Sequence, residues 1–442
     1  MANKSINPEV TVIGAGLAGI EAVYQLLRRQ IAVRLIEMRP KVTTGAHSTD
    51  MFGELVCSNS VGSNLPDRAP GLLKEELRFL NSYFMDTAYK YRVPAGNALA
   101  VDRYAFAREI TRYIKNHALV EFINDEAVKI PEEGYVIIAT GPLTSPALLE
   151  EIQKMLGKNH MYFYDAVAPI VAADSINTNI AFRSDRYGEI GSGDYLNCPM
   201  SKEEYYRFVD ELLKAERIEL SAMEKSERKK YFNACQPVEI IAESGKDSLR
   251  FGPLKPVGLI DPRTEKRPYA VVQLRQDNLL ATMYNMVGFQ TNLKHPEQQR
   301  VFRMIPGLEN AKFERLGQMH RNSYIYAPEL LKPTMQLRDN PRIFIAGQLS
   351  GVEGYTESAA TGLLAGLNVS RLIQGKEPVV LPPETMLGGL LNYITFSGHK
   401  DFHPMNINFG LFPSKEGEKS EVRKERIIKT ARKKIREFME IL

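Results

Sequence analysis

A short apolar run, Val10-Thr11-Val12-Ile13, meets Gly14-Ala15-Gly16-Leu17-Ala18-Gly19 and passes directly into helical spacing at Ala22, Leu26 and Leu27. Ile31, Val33 and Leu35 then alternate as a strand does, and Glu37 stands at the end of that strand. Strand, glycine turn, helix and strand make a complete βαβ unit. Each glycine has its own physical reason: the first permits the tight turn, the second lets a pyrophosphate approach the backbone, and the third lets the helix pack on the sheet. The helix N-terminus favours anionic phosphates. Glu37, 18 residues past Gly19, is placed to accept hydrogen bonds from ribose hydroxyls. These positions, Gly14, Ala15, Gly16, Leu17, Ala18, Gly19 and Glu37, are the expected nucleotide cradle.

The chain has 442 residues, enough for two or three domains or for one large domain carrying an insertion. Apolar residues at 44% and charged residues at 25% exclude a disordered, collagen-like or fibrous chain. A second buried-strand run, Tyr135-Val136-Ile137-Ile138-Ala139, ends in Thr140-Gly141-Pro142. A third, Ile343-Phe344-Ile345-Ala346, ends in Gly347-Gln348 and leads through a glycine-rich turn into a helix from about Glu357 to Leu372. Strand-to-glycine junctions this far apart point to one sheet interrupted by a long insertion. That layout fits a two-dinucleotide-binding-type FAD domain better than an S-adenosylmethionine methyltransferase, whose GxGxG and ribose acid look alike. The expected fold is α/β, with a Rossmann-like FAD-binding domain over 1–145 and 337–442 and an inserted α/β domain over 146–336. Within the insertion, Lys202 to Lys230 reads as a charged helix and Tyr269 to Leu274 as a strand. In this layout the late helix aims its positive end at the flavin.

The formal charge is +4, and all of it sits between Lys415 and Leu442, where ten Lys/Arg face six Asp/Glu. From Ser414 onward a lysine-rich helix is expected, with Ile427, Ala431, Ile435, Phe438, Met439 and Leu442 in one stripe docked on the core and its basic side in solvent. No apolar run approaches the length of a membrane span, and the N-terminus lacks a signal-peptide core, so the expected location is the cytoplasm. Cys57, Cys198 and Cys235 are too few and too scattered for a disulfide framework or a metal site. Any cysteine chemistry uses free thiols.

Several segments carry a resemblance: Glu54-Leu55-Val56-Cys57-Ser58-Asn59-Ser60, Leu249-Arg250-Phe251-Gly252-Pro253, Val271 through Asn278, Tyr284 through Thr291, Met319-His320-Arg321-Asn322, and Ala346-Gly347-Gln348 through Gly354-Tyr355. Together they resemble the folate- and FAD-dependent tRNA (uracil-54, C5) methyltransferases, the TrmFO family, over essentially the full length. The late glycine motif is shared with the longer, MnmG-type wobble-uridine enzymes, so it does not decide alone. Two stretches depart from the family pattern. Phe232-Asn233-Ala234-Cys235 stands where Phe-Glu-Gly-Cys is usual, and Val61-Gly62 where Leu-Arg is common.

The chemistry gives these residues roles. Uracil C5 is a poor nucleophile, and addition of a thiolate to C6 turns the ring into an enolate that attacks an electrophilic carbon. S-adenosylmethionine delivers a finished methyl, whereas 5,10-methylenetetrahydrofolate delivers a one-carbon unit that still needs two electrons. A flavin in a methyltransferase therefore points to folate. The resemblance implies reduced FAD as carrier and reductant, with NADPH or NADH recharging it, and 5-methyluridine in the T loop of tRNA as product. It also implies that Cys235 attacks C6, that Cys57 is a second cysteine at the flavin, and that the His320 imidazole stacks the pterin; Cys198 reads as structural. Glu353 and Tyr355 are suited to moving protons, and Thr140, Gly141, Gly347 and Gln348 to lining the cofactor. Arg275 and Asn285 suit pterin and glutamate groups, with holding a loop as the alternative for each.

The RNA partner must give up a base tucked into its elbow at an unstacking cost of about a few kcal/mol. The Lys202–Lys230 stretch and the cluster Arg432, Lys433, Lys434 and Arg436 are candidates for its phosphates, against the alternative of solvated helix faces. The expected partners are the tRNA T arm and the folate, with no membrane and no obligate protein partner. The same chemistry on ribosomal RNA, an MnmG-like wobble modification, and a non-methylating flavin oxidoreductase are the alternative functions.

Overall fold

The computed structural model describes residues 8–157, 161–188, 193–218, 236–398 and 402–442, with backbone only for 161–167 and 318–321. Its first sheet is parallel throughout. The strand order is Ile343–Ile345, Tyr135–Ile138, Val10–Ile13, Val33–Ile36 and Val120–Ile123, with Val10 opposite both Val33 and Tyr135. Parallel strands covered on both faces read as unbroken apolar runs, which is why Val136-Ile137-Ile138 and Ile343-Phe344-Ile345 stood out.

The first helix, Leu17–Leu27, and the late helix, Tyr355–Ile373, cross at backbone contact over this sheet. A Cβ on Gly362 would lie 2.1 Å from the Ala18 carbonyl oxygen, and one on Gly366 would lie 2.6 Å from that of Ala22. Glycines four apart share a helix face, and here that face has no room for a side chain.

A second, antiparallel sheet runs Phe182–Arg183, Tyr195–Met200, Ala270–Gln276, Met283–Met286, Ile170–Ala172 and Phe313–Arg315. Helix Lys202–Lys214 lays Tyr205, Phe208, Val209 and Leu212 on it. The expectation of a helix through Lys230 is corrected in its described part: the helix stops at Lys214, Ala215 is already extended, and Arg217 pairs as a bridge with Leu293. Residues 219–230 of that stretch lie outside the described residues. The two sheets have separate apolar cores. Strands Met161–Val167 and Gln318–Tyr324 pair antiparallel as a two-stranded sheet of their own.

The tail helix is Ser420–Met439, and Ile427, Ala431, Ile435 and Phe438 are buried in the first core, with Met439 and Leu442 packed against it. Its basic side is less free than the sequence suggested. Arg432 pairs with Glu75 at 2.8 Å, Lys424 with Asp67 at 2.6 Å, and Lys434 with Glu437 at 2.8 Å. The stripe sets the helix down beside helix Ala69–Phe79 and the turn before it, where Glu75 and Asp67 stand, and proximity completes those two pairings. Among the described residues no helix is long and apolar enough to cross a membrane.

Candidate functional site

At the C-terminal ends of the parallel strands the glycine turn opens on a cleft of about 510 Å³, lined by Gly14, Gly16, Glu37, Arg39, His47 and Thr140 among others. Ligands bind at this end of open α/β sheets. Gly14 has φ +97°, and a Cβ there would lie 2.7 Å from the Ala139 oxygen; a Cβ on Gly19 would lie 1.8 Å from the Gly14 oxygen. Gly16 differs, because its nearest neighbour would be 3.9 Å away. The first and third glycines are thus closed positions of the fold, while the second borders empty space where a pyrophosphate belongs. Leu17 and Ala18 are buried in the first helical turn, Leu17 against the core and Ala18 beneath Gly362.

Glu37 is buried; its Oε2 accepts the Ala15 N–H at 2.8 Å and its Oε1 accepts the Arg39 N–H and Nε–H, each at 3.0 Å. Burial pushes its carboxyl up, but the Arg39 guanidinium and these hydrogen bonds together hold it below the usual carboxylate range. A carboxylate offers about four lone pairs, so Glu37 keeps capacity for a ribose hydroxyl. Glu54 accepts from Arg39 Nη1 and from the backbone N–H groups of Ser48 and Thr49, which ties the loop over this cleft to its floor. Burial lowers the His47 imidazole to about 4, so it is neutral at physiological pH. On the opposite wall the Thr140 and Thr144 hydroxyls lie 2.6 Å apart, and Gly141 has φ +69° with open space on its Cβ side.

A second cleft, of about 1040 Å³, is lined by Cys57, Gly62, Gln348, Glu353 and Tyr355 and by residues beside them. Gly347 at φ +75° donates its N–H to the Thr361 hydroxyl at 2.8 Å, which turns the chain from strand to late helix; a Cβ there would sit 3.0 Å from that of Ala18. Gln348 Nε2 donates to Glu353 Oε2 at 2.5 Å. The Tyr355 hydroxyl accepts N–H bonds from Cys57 at 2.8 Å and Ser58 at 3.2 Å. Burial first, and the neighbouring Cys57 second, push this phenol well above 10, so it holds its proton at neutral pH.

Both helices that point at the clefts begin at glycine. Neither Gly16 nor Gly354 has a side chain to cap its helix, so no Cβ stands between the first helical N–H groups and the clefts. Uncapped N–H groups at a helix start suit an anionic ligand. The closed Gly14, the open Gly16, the spare acceptor of Glu37 and these helix ends fit an adenine dinucleotide laid across the two clefts.

Behind the second cleft the two sheets meet in a buried polar joint that the sequence did not reveal. Arg103 Nη2 bonds Asp277 Oδ1 at 2.7 Å, with side chains 5% and 0% exposed, and Arg103 Nη1 donates to the Leu55 carbonyl at 3.1 Å. Asn59 Nδ2 donates to Val101 O of the first unit and Gln276 O of the second. Arg275 donates to Asn59 Oδ1 at 3.0 Å, to Ser58 Oγ at 2.5 Å and to Asn285 Oδ1 at 3.4 Å. Arg275 and Asn285 are therefore gathered on the Cys57–Asn59 segment rather than on the cleft wall. Asn285 Nδ2, Arg103 Nε and Asp277 Oδ2 are buried without a hydrogen-bond partner.

Cys198 lies in the second core, and burial raises its thiol to about 12, as an inert thiol requires. Cys235 lies outside the described residues. His320 is on the strand Gln318–Tyr324 opposite Asp165, and its side chain lies outside the description. The joint was missed because Arg103 belongs to no motif and its partner is 174 residues away. Ser58, Asn59 and Asp277 stand inside the conspicuous segments, and that placement is the one signal they gave.

A family model described as glucose inhibited division protein A matches residues 9–377. The methylenetetrahydrofolate--tRNA-(uracil-5-)-methyltransferase TrmFO of Desulforudis audaxviator is 57% identical over 417 residues, covering 94% of each chain. The protein of the same name from Natranaerobius thermophilus is 54% identical and covers 98% of this chain and 99% of its own. Among solved structures, Aquifex aeolicus GidA superposes with a TM-score of 0.70 at 17% identity, over 99% of this chain and 75% of that one.

Proposed function

Since the chain belongs to the glucose inhibited division protein A family, and within it to the methylenetetrahydrofolate--tRNA-(uracil-5-)-methyltransferases, we propose that it methylates C5 of a tRNA uridine with methylenetetrahydrofolate as carbon donor. The observation that carries this reading is identity above half along nearly the whole chain, combined with a cradle that fits FAD beside a cleft lined by a cysteine and a protonated tyrosine. FAD, reduced by NADPH or NADH, supplies the two electrons that separate a methylene from a methyl group. The target is uridine 54 in the T loop and the place of action the cytoplasm. The ribosomal RNA, wobble-uridine and non-methylating readings gain no observation.

The residues divide the work as follows. Gly14, Gly16, Gly19 and the first-helix N–H groups hold the pyrophosphate; Glu37 holds the ribose; Thr140 and Gly141 form the opposite wall. Gln348 keeps Glu353 facing the second cleft, where its carboxylate takes up the proton lost from uracil C5. Tyr355 passes its proton to the folate nitrogen freed when the methylene bridge opens and, by accepting from Cys57 and Ser58, fixes the backbone that presents the Cys57 thiol. Cys235 adds to uracil C6. The His320 imidazole covers the pterin. Arg275, held in turn by Asn285, positions the Cys57–Asn59 segment from behind rather than meeting the pterin itself.

We also propose that an inserted unit lies within 146–336. The second core supports it, with members from Val171 to Ala311, and the packing of Leu148, Ile152, Tyr324 and Leu331 in the first core draws the junctions inward by some residues.

Incubation with methylenetetrahydrofolate, NADPH and undermodified tRNA is expected to yield 5-methyluridine in the isolated T-loop fragment. Activity on ribosomal RNA alone sinks the tRNA assignment, and full turnover by Cys235→Ala sinks the nucleophile.

A further inference from the structure

Two aromatic rings stand almost fully in solvent on the second unit: Phe251 at 82% exposure and Tyr187 at 80%. Tyr187 is held there by its backbone. It has φ +65°, a conformation that L-residues with large side chains rarely adopt. Its N–H donates to Gly258 O at 2.8 Å, and its ring lies so close over Gly258 that a Cβ at that glycine would be 3.0 Å from it. One side of the ring therefore rests on glycine backbone and the rest is open, the arrangement of a stacking platform. Arg186, the residue before it, donates Nη1 to the carbonyls of Lys255 at 2.7 Å and Val257 at 2.8 Å, which locks the Tyr187 turn to the loop that carries Phe251.

The charge around the rings is one-sided. From 246 to 267 six Lys or Arg stand against three Asp or Glu. Asp247 is engaged by Arg250 and Tyr269, and Asp261 by Arg263. Lys255, four residues after Phe251, has no ion-pair partner among the described residues.

Bonds and contacts tie the segments that carry the patch to the Cys57 segment and to the chain at Val238. Ser184 N–H donates to Tyr195 O, Tyr195 interacts with Arg275, and Arg275 grips Ser58 next to Cys57. On the other side Pro253 packs under Gly288, and Gln290 O accepts the N–H of Val238, three residues beyond Cys235.

We propose that Tyr187, Phe251 and Lys255 form the surface that receives the RNA substrate beside its target uracil, the rings stacking on unpaired bases of the loop and Lys255 meeting a phosphate. Exposed aromatics with neighbouring cations are how proteins hold unstacked RNA bases, because every base offers a π face whatever its sequence. The inference rests on the functional reading above and names the face of that site that takes the RNA.

The test compares the parent protein with Tyr187→Ala, Phe251→Ala, Phe251→Trp and Lys255→Gln, measuring tRNA affinity across a salt series, flavin absorbance, thermal unfolding and NADPH oxidation without RNA. Each alanine variant is expected to raise Kd about tenfold with an unchanged salt slope, whereas Phe251→Trp keeps parental affinity. Lys255→Gln is expected to lower the slope by about 1. Flavin content, unfolding and RNA-free oxidation stay parental in all four. Alanine variants that bind tRNA as the parent does overturn the proposal and leave the enzyme assignment standing. Variants that change self-association but not RNA affinity overturn it in favour of a second copy as the occupant. A parent that binds no tRNA removes the functional reading, and this inference with it.

Discussion

The parallel and antiparallel sheets build one site by opposite means. In the parallel unit the features that shape the candidate site are backbone: a glycine with no room, a glycine facing open space, and two helix starts at glycine. In the antiparallel unit they are side chains reaching far across sequence, Asp277 to Arg103 and Arg275 to Ser58. Backbone devices leave a local trace, because only glycine satisfies them. Long-range side-chain contacts are fixed by the assembled fold and leave almost none.

The contrast is open to attack, first where the two units join. Asp277→Ala leaves the Arg103 guanidinium buried without its carboxylate, and the expected loss is about 3–5 kcal/mol with activity falling alongside. Denaturant unfolding measures it, and a loss below about 1 kcal/mol would mean that the joint is not shared by the two units. Next comes a pair of glycines within one turn. Gly19→Ala forces a Cβ against the Gly14 oxygen and is expected to cost about 3 kcal/mol, the upper end for overpacking. Gly16→Ala is expected to purify without yellow colour and to melt close to the parent when both are compared free of flavin. If both lose stability equally, the distinction between closed and open positions fails.

A third test uses pH. Burial raises Glu76, which accepts N–H bonds from Met386 and Leu387, to about 8, and Glu21, which accepts from Ser82, Tyr83 and Phe84, to about 7. Both folded values exceed the ordinary carboxylate value, so the fold favours the protonated form. That contribution is full below about pH 4.5 and is lost as pH rises through 7 and then 8. Melting temperature is therefore expected to fall between about pH 4.5 and 8 and to level off above that, and Glu76→Gln is expected to flatten that fall while lowering stability throughout. The smallest effect belongs to the tail. Arg432→Ala removes a partly exposed pair with Glu75 and is expected to cost about 0.2–1 kcal/mol, reduced by salt; a multi-kcal loss would show that the pair, rather than the apolar stripe, docks the helix.

The same contrast explains what could be read in advance. The strands ending at Ile13, Ile138 and Ile345, the glycine turns, Glu37 and the late helix were legible because burial on both faces and close backbone approach restrict the residue types. The tail stripe was legible for its periodicity, but not the pairing of Lys424 with Asp67 and of Arg432 with Glu75, acids 357 residues earlier in the chain. The charged helix was read past its end because Lys and Glu continue the pattern after Lys214, while the chain there turns extended to bridge Leu293. Ala270–Gln276 is buried at every position, so it shows no alternation to mark which side chains turn toward Ser58. Arg275 and Asn285 were picked out by type, and the grip of Arg275 on Ser58, Asn59 and Asn285 needed the fold.

The account's central claim is that the new methyl group comes from a folate methylene completed by reduction. Methylenetetrahydrofolate carrying two deuterium atoms on its methylene carbon, supplied with NADPH and undermodified tRNA in ordinary water, tests it by mass spectrometry of the released 5-methyluridine. The account predicts a methyl group with two deuteriums and one protium. An unlabelled methyl group, or label that appears only when S-adenosylmethionine is the labelled donor, would contradict it.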